Sequence, residues 1–528
     1  MLSEKEKQLN ILIEVAHELS SGKKFPELFQ SVINIVCASS GADGGTLYMH
    51  DNKYNTLKAV LLTNQVLDIH SVVSEFDPLA VSGFIEVPLQ EGDSTQSAKI
   101  SASAFLQRQT IAVPDINAES RFDFSGVKAF DESNNYQTRS LIAFPLHATS
   151  DDTPIGVLQV INPDPKCFED DYLRFLNTLA GHITISLNNA LLIKEGQNLL
   201  GAIVRMVGMA IDEKSPHTSG HCYRVTEVTM MLADAVEQEM VDFEMSTSDR
   251  EALKMAALLH DVGKIITPDH ILEKPTKLFT LTDRIEHLID RLHMWRISEE
   301  LDALKKNVIA AGRKDLLPSS KESDVSQLNS DIDLLKEVNT GNLFMDEEVM
   351  NKLENISSRV IAHTQPPTEK NDEQDGREKV VARKDLSDLQ ILRGTLNPRE
   401  RKIMEEHASI TIRLLSSIPW PKKYSRVVEY AGNHHEKMNG AGYPNRLSAS
   451  ELSIPSRILG IADRFEGLSA PDRPYRSRKM TLSRVLDIMQ SMSDEGEIDA
   501  DLYRIFLKSK IHLKYGHQFL DNALVDCA

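Results

Sequence analysis

Four cysteines in 528 residues are too few and too scattered to organise a fold. Cys37, Cys167, Cys222 and Cys527 form no Cys-x-x-Cys pair. Neither a disulfide framework nor a thiolate zinc site is expected, and a reducing cytoplasm is. Long apolar runs are also missing. None approaches the roughly 20 residues of a membrane span, so no membrane partner is expected. The first ten residues, MLSEKEKQLN, are polar and lack a signal-peptide pattern. Basic residues are in the minority, and the net charge of −19 argues against a nucleic-acid polymer as partner. It leaves room for a small anionic ligand held by a few local cations.

What remains is the composition of a folded protein. Hydrophobic residues at 41% and charged residues at 26% describe a globular chain with ample core. The length corresponds to three domains, or two or three in practice.

Residues 3–20 read as an amphipathic helix with Leu9, Leu12, Val15 and Leu19 near one stripe, ended by Ser20-Ser21-Gly22. Strand-like runs follow at 45–49, 57–62, 111–113, 140–146 and 155–162. With flanking helices they predict an α+β domain on an antiparallel sheet. The order of ADGGTLYMHD, VPDI (113–116), RFDFSG (121–126), SLIAFPL and GVLQVIN resembles a GAF domain over roughly the first 190 residues. That resemblance implies a small-molecule sensor or a dimerisation module, with a ligand of unknown identity. RFDFSG with Phe130-Asp131 is similar to cyclic-nucleotide-binding members; the plain alternative is that these residues pack a loop over the sheet.

Residues 168–213 predict one long helix or two in series. Leu173, Leu176, Ala180, Ile183, Leu187 and Ala190 follow the 3-4 spacing of a two-stranded coiled coil. This stripe is either packed on its own domain or forms a parallel stalk in a homodimer. Residues 289–395 change character, with helical patterns at 296–312 and 331–361 and a polar stretch at 364–379. They read as an insertion, a helical hairpin with a loop, between two halves of one domain. The apolar helical pattern then resumes with Ile403, Ile410, Leu414, Leu415 and Ile418 and runs to about residue 512.

The chemistry concentrates in that second region. His434-His435 opens HHEKMNGAGYP, which ends at Pro444. Neutral imidazoles are good ligands for zinc, manganese and iron. Adjacent rings diverge by about 100° on a helix, so both serve one site only if it holds two metals or wraps around them. His260-Asp261 ends an apolar helix and can offer an imidazole and a bridging carboxylate. His217 and His221 stand at i and i+4, and Asp463 lies inside an apolar helix from Ile458, where a lone carboxylate is costly unless paired or metal-bound.

Together SPHTSGHCYRV (215–225), LLHDVGKIITPDHILEKPTKL (258–278), MEEHASIT (404–411), HHEKMNGAGYP (434–444) and ADRFEGLSAPDRPYR (462–476) resemble an HD-GYP domain over residues 200–515. This family is the all-helical phosphohydrolase branch of the HD superfamily. It hydrolyses cyclic di-GMP at a centre of two or three metals, usually iron or manganese. The resemblance implies metal ligation by His221, His260, His407, His434 and His435, with Asp261 bridging and Asp463 closing the site. Three-metal members carry glutamate where this chain has His217, so two ions are expected, with His217 either a third-metal ligand or a pocket wall. Glu213 is a weaker substitute. Lys264 would hold the scissile phosphate or assist the leaving 3′ oxygen. Arg473 and Arg476 would take the second phosphate. Gly440 and Tyr443 would shape the substrate wall, and Glu436 would orient His434 or His435.

The expected architecture is therefore a GAF-like α+β domain with its connecting helix at 1–195 and an all-α HD-GYP domain at 196–528, interrupted at about 289–395. The expected function is hydrolysis of cyclic di-GMP to the linear dinucleotide, with a second cut to GMP left open, under control of the GAF-like domain. The alternatives are hydrolysis of another cyclic dinucleotide such as cyclic GMP-AMP, or a non-catalytic effector that binds one. The insertion is the main departure from the family pattern.

Overall fold

The computed structural model describes residues 25–74, 76, 81–89, 99–147, 154–214, 220–311, 322–361, 378–470 and 480–527, with 8 and 11–13. The helix expected over 3–20 falls almost wholly outside them, and His217, Arg473, Arg476 and most of 364–379 fall outside as well. The chain divides into two compact units, Met1–Leu200 and Gly201–Ala528.

The first unit is an antiparallel sheet covered on both faces. Its strands are β1 (Gly44–Asp51), β2 (Thr56–Asn64), β3 (Ile69–Val72), β4 (Glu86–Pro88), β5 (Ile111–Val113), β6 (Leu141–His147) and β7 (Pro154–Ile161). Their order is β3-β2-β1-β7-β6-β5, with β4 paired to β2. Ile142, Phe144, Leu158 and Val160 point to one face and pack on α1 (Phe25–Ser40) through Phe29, Val32 and Ile33. Leu141, Ala143 and Val157 point to the other and pack on α2 (Ile100–Gln107) through Ile100, Ala104 and Phe105. Side chains alternate between faces along a strand, so two apolar faces make the sequence a continuous apolar run. A further helix, α3 (Ser125–Asn134), follows the loop that carries Phe124.

The long connection is one helix, α4 (Asp170–Lys214), of 45 residues. Its apolar stripe has an intramolecular explanation. Leu176, Ile183 and Leu187 are buried in the first unit's core, with Leu173 and Ala190 packed against it. A stalk built on those residues is therefore corrected, because their apolar faces are already used. The exposed face of the same helix carries Ile185, Leu192 and Leu199, one heptad apart.

The second unit is helical, and its motifs sit where helices meet. Helix α5 (His221–Glu239) packs on α6 (Thr247–Leu259), and a one-turn helix α7 (Asp269–Leu272) follows the His260-Asp261 segment. Four further helices, α8 (Ile285–Ala311), α9 (Glu322–Asn339), α10 (Glu347–Ser358) and α11 (Arg383–Leu389), occupy the inserted region with a short pair β8 (Val360–Ile361) and β9 (Glu378–Lys379). This is more than a hairpin. Leu278, Leu292, Leu335, Val338, Leu353, Ile356 and Val380 form an apolar core of its own. It is tied to the preceding chain by Lys277, whose Nζ donates to the Leu389 carbonyl at 2.8 Å, and by Arg284 with Asp388 at 3.0 Å.

The chain then returns through α12 (Pro398–Ser416), α13 (Val427–Gly432), α14 (Ile454–Ser469), α15 (Leu482–Asp494), α16 (Ala500–Lys508) and α17 (Ile511–Phe519). Helix α12 starts with a capping box between Asn397 and Glu400 and Pro398 in its first turn, a strong N-terminal signal. Helix α14 packs on α5, α13 packs on α6, and α12 packs on the segment after Asp261.

Candidate metal centre

Five segments bring ligand-type side chains to one place. His221 opens α5, and His260 is the residue at the C-terminal cap of α6. Asp261 follows it and precedes a short 3₁₀ helix, Val262–Ile266. His407 lies within α12, His434 and His435 follow the end of α13, and Asp463 lies within α14. Gly263 permits the closest of these approaches. A Cβ there would stand 2.0 Å from the His407 carbonyl oxygen, so no other residue fits without moving α12. The Thr411 hydroxyl fastens the same junction. It accepts from Gly263 N at 3.0 Å and donates to the His260 carbonyl at 3.0 Å.

The two carboxylates sit between the rings. Asp261 Oδ2 lies 3.4 Å from His221 Nε2 and 3.3 Å from His260 Nε2. Its Oδ1 lies 3.4 Å from His407 Nε2 and 4.0 Å from His434 Nε2. Asp463 repeats this division, with Oδ1 at 3.4 and 3.6 Å from the Nε2 atoms of His221 and His260 and Oδ2 at 3.8 Å from His435 Nδ1. Among the described residues three compact groups of ligand atoms overlap: His221, His260 and Asp463; His407, His434 and His435; and, joining them, His260, Asp261 and His434.

The outer ring nitrogens fix the tautomers. His260 Nδ1 faces the Ala257 carbonyl at 2.8 Å, His407 Nδ1 faces that of Met404 at 2.5 Å, and His434 Nδ1 faces that of Ala431 at 2.6 Å. A carbonyl only accepts, so each Nδ1 carries the proton and each neutral ring offers an Nε2 lone pair inward. The Nε2 atoms of His221, His260, His407 and His434, and Asp261 Oδ1, are buried and have no hydrogen-bond partner. Lone pairs facing carboxylate oxygens across 3.3–4.0 Å repel unless a cation lies between them. Ligand bonds of about 2.0–2.2 Å from one ion to two such atoms span that separation. The residues present therefore fit divalent ions.

The charge balance points the same way. Burial opposes ionisation of Asp261 and Asp463, yet both are held well below the usual carboxylate range, Asp261 by Lys264 and His260 and Asp463 by His221 and His260. Burial also opposes a charge on His260, but Asp261 and Asp463 outweigh it and raise the ring to about 9. Burial and the neighbouring His260 push His434 down to about 3, and burial with His434 pushes His435 well below its ordinary value. Without ions, the centre draws its positive charge from Lys264, His221 and His260. Divalent ions would displace those ring protons, which makes their binding pH-dependent.

Lys264 also faces the bridging carboxylate. It sits on the 3₁₀ turn, not on a continuing α-helix, and its Nζ reaches back 2.5 Å to Asp261 Oδ2. Glu436 is a correction. It does not orient either histidine; its carboxylate accepts from the backbone N–H groups of Asn445 and Leu447 at 2.7 and 3.0 Å and shapes the Gly-Tyr-Pro loop. Tyr443 stacks on His435 at 4.7 Å between ring centroids, while Gly440 stands at φ +76° in the turn before it.

The residue that sequence reasoning missed is Glu466. Its fully buried carboxylate accepts from His221 Nδ1 and also holds Arg224 Nε at 2.7 Å. Its spacing to Asp463, two acids three residues apart in an apolar helix, was the available signal.

Away from this centre, the first unit has a cavity of about 190 Å³ lined by Thr46, Tyr48, Asn64, Phe124, Phe130 and Gln159 among others. Phe124 and Phe130 come from the stretch singled out in the sequence, and Phe124 is also a core residue.

Comparison with known proteins now adds names. A sequence model of the GAF domain matches residues 25–187. Two models of the HD domain match residues 218–335 and 383–502. This is a GAF–HD protein. The 3′3′-cGAMP-specific phosphodiesterase 1 of Vibrio cholerae is 34% identical over 116 residues, 22% of this chain and 26% of that protein. The cyclic di-GMP phosphodiesterase of Thermotoga maritima is 37% identical over 86 residues, 16% of this chain and 23% of that protein. The match to the GAF–HD chain thus spans about a quarter of each of these relatives. The GAF domain from Acinetobacter phosphoenolpyruvate-protein phosphotransferase is 17% identical over 37% of this chain and 99% of its own, at a TM-score of 0.26, and carries no argument about function. Among the described residues, no helix is long and apolar enough to cross a membrane.

Proposed function

We propose that the GAF–HD protein hydrolyses a cyclic dinucleotide at a centre of two divalent ions, iron or manganese. The observation that carries this reading is the set of four buried, unpartnered Nε2 atoms around two carboxylates. His221, His260 and Asp463 would hold one ion, and His407, His434 and His435 the other, with Asp261 turning one oxygen to each. Such ions supply Lewis-acid activation of a phosphodiester and of the attacking water.

The chain's own residues do the rest. Lys264, 16% exposed, presents an ammonium beside Asp261 that can also pair with a substrate phosphate. Tyr443 braces His435 and walls the opening. The carbonyls behind His260, His407 and His434 hold the Nδ1 protons, so that Nε2 is the ligand atom each ring aims inward. Arg473 and Arg476 remain candidates for the second phosphate, and His217 for the pocket wall or a third ion.

Cyclic di-GMP is the proposed substrate, converted to the linear dinucleotide, with GMP as the product of any second cut. A second reading, 3′3′-cGAMP, is favoured by the names of three Vibrio cholerae relatives. The GAF cavity would take a small ligand that controls turnover. A reducing cytoplasm suits three buried free thiols, Cys37, Cys167 and Cys222.

The deciding experiment measures metal per chain on anaerobically purified protein, with turnover of both cyclic dinucleotides on the same sample. Two ions per chain with turnover support the proposal, and the ratio of the two rates assigns the substrate. A folded, metal-loaded protein that cleaves neither defeats it. We also propose a homodimer joined at the exposed heptad face of α4, which is tested separately. Leu192→Lys should shift the sedimenting species to a monomer, and an unchanged dimer would exclude that face.

A further inference from the structure

The ligand-bearing segments must be held at a fixed spacing, and residues outside the metal centre do this. The last two turns of α4 touch two of them, the His260-Asp261 segment on both its sides and the start of α5. Lys214, the final residue of α4, points its Nζ at three backbone carbonyls, those of Lys264 at 2.8 Å, Ile265 at 2.6 Å and Thr267 at 2.7 Å. These carbonyls close the 3₁₀ helix that follows Asp261. A cation at that end satisfies acceptors that the helix leaves open. Two residues earlier on α4, Asp212 Oδ1 accepts from Cys222 N at 3.2 Å. Cys222 lies in the first turn of α5, beside His221, where Gly220 supplies no side-chain cap. One turn further back, Gly208 lies against α6, and a Cβ there would stand 3.1 Å from the Leu258 carbonyl, two residues before His260.

We propose that the end of α4 is a clasp that sets the spacing of the metal centre, with Lys214 as its positioning residue. The proposal rests on the dinuclear phosphodiesterase reading above and names the route of its regulation. Lys214 holds the Lys264 carbonyl, the Lys264 ammonium holds Asp261, and Asp261 faces both ligand groups. Asp212 fixes the start of α5 and thereby His221. Gly208 fixes the depth at which α4 seats on α6. Because α4 is one unbroken helix whose first half lies in the GAF core, a turn or slide of it alters these contacts together. A misplacement of about 1 Å at such a centre can cost on the order of 100-fold in rate. The clasp touches neither substrate nor ion, so its effect passes wholly through ligand position.

The test uses the full chain loaded with manganese. Two adjacent Mn(II) ions give a spin-coupled paramagnetic resonance spectrum whose coupling reports their separation. Lys214→Met keeps the aliphatic stem and removes the ammonium. It should change the coupling and lower kcat about tenfold or more while KM changes little. Lys214→Arg should restore most of both. Gly208→Ala adds one methyl against Leu258, removes no polar group, and should change the coupling in the same manner. Asp269→Asn serves as the control. Asp269 lies 3.6 Å from Lys214 but is largely exposed, so its loss should change nothing. If Lys214→Met does not fold, Gly208→Ala carries the test. Unchanged coupling in the folded variants overturns the clasp. A wild-type chain that holds the coupled pair but cleaves no cyclic dinucleotide defeats the proposed function alone, because the spectrum still reads the clasp. A wild-type chain that holds no coupled pair overturns both.

Discussion

Glu466→Gln isolates the part of the centre that no motif announced. The glutamate is fully buried and serves two donors, His221 Nδ1 on one oxygen and Arg224 on the other. Glutamine keeps the shape but has one acceptor oxygen, so its amide N–H₂ must face one of these donors. A hydrogen bond to a charged group is worth about 1.5–3 kcal/mol, and the orphaned donor adds a desolvation cost of similar size. Loss of such a partner behind a ligating histidine lowers metal affinity by roughly 10–100-fold, or about 1.4–2.8 kcal/mol. His221 belongs to one ligand group only, so the loss should be one-sided. Calorimetric titration of metal-free protein with Mn(II) should show one binding step weakened by that factor and the other, at His407, His434 and His435, little changed. Equal weakening of both steps, or of neither, would refute the assignment of Glu466 to His221 and of His221 to a single ion.

Asp261→Asn should remove both binding steps at once, since its two oxygens face different groups; retention of one ion at wild-type affinity, read by elemental analysis, would contradict the bridge. Gly263→Ala should destabilise the second unit by several kcal/mol, because the methyl meets the His407 carbonyl at 2.0 Å, and a thermal midpoint within a degree of wild type would count against that packing. The pH response of metal-free protein follows from two rings of opposite shift. His434, lowered to about 3 from 6.5, contributes stability present above about pH 6.5 that is lost as the pH falls toward 3. His260, raised to about 9, contributes stability present below about pH 6.5 that is lost as the pH rises toward 9. Metal-free protein should therefore be most stable near pH 6.5 in denaturant titrations, and a monotonic rise to pH 9 would contradict the charge balance at the centre.

Legibility varied with the physical origin of each element. The strands at the middle of the sheet announce themselves because both faces are apolar, as in Leu141 through Leu146. The edge strand Ile69–Val72 has no buried residue and carries no such signal. Helix α2, ISASAFLQ, is small and mostly buried, so it lacks the polar face that a 3.6-residue period requires. The core of the inserted region draws on Leu278, Leu335, Ile356 and Val380, which lie far apart in sequence, so no local pattern reveals it. In the candidate metal centre His221, His260, His407, His434, His435 and both aspartates stand in compact motifs, and the fold brings them within a few ångströms. Glu436 was misread because it adjoins His435 in sequence, whereas its carboxylate turns into the following loop. The continuous helix α4 was legible as a helix, but only the tertiary packing shows which of its faces is spent.

The inserted helices bear on how this chain can be shortened. Lys274 and Lys277 are almost completely buried at their root; Lys274 pairs with Glu400 beyond the insertion, whereas Lys277 donates to the Leu389 carbonyl within it. Excising residues 289–395 would remove the Leu389 carbonyl and leave Lys277 with a buried ammonium and no acceptor, at a cost of several kcal/mol. It would also disturb Glu400, which caps α12, the helix that delivers His407. A shortened fragment that keeps the candidate centre would thus need Lys277 replaced by an apolar residue of similar length. The insertion behaves as a keystone, set between the two arms of helices that carry the candidate centre, and not as a detachable ornament.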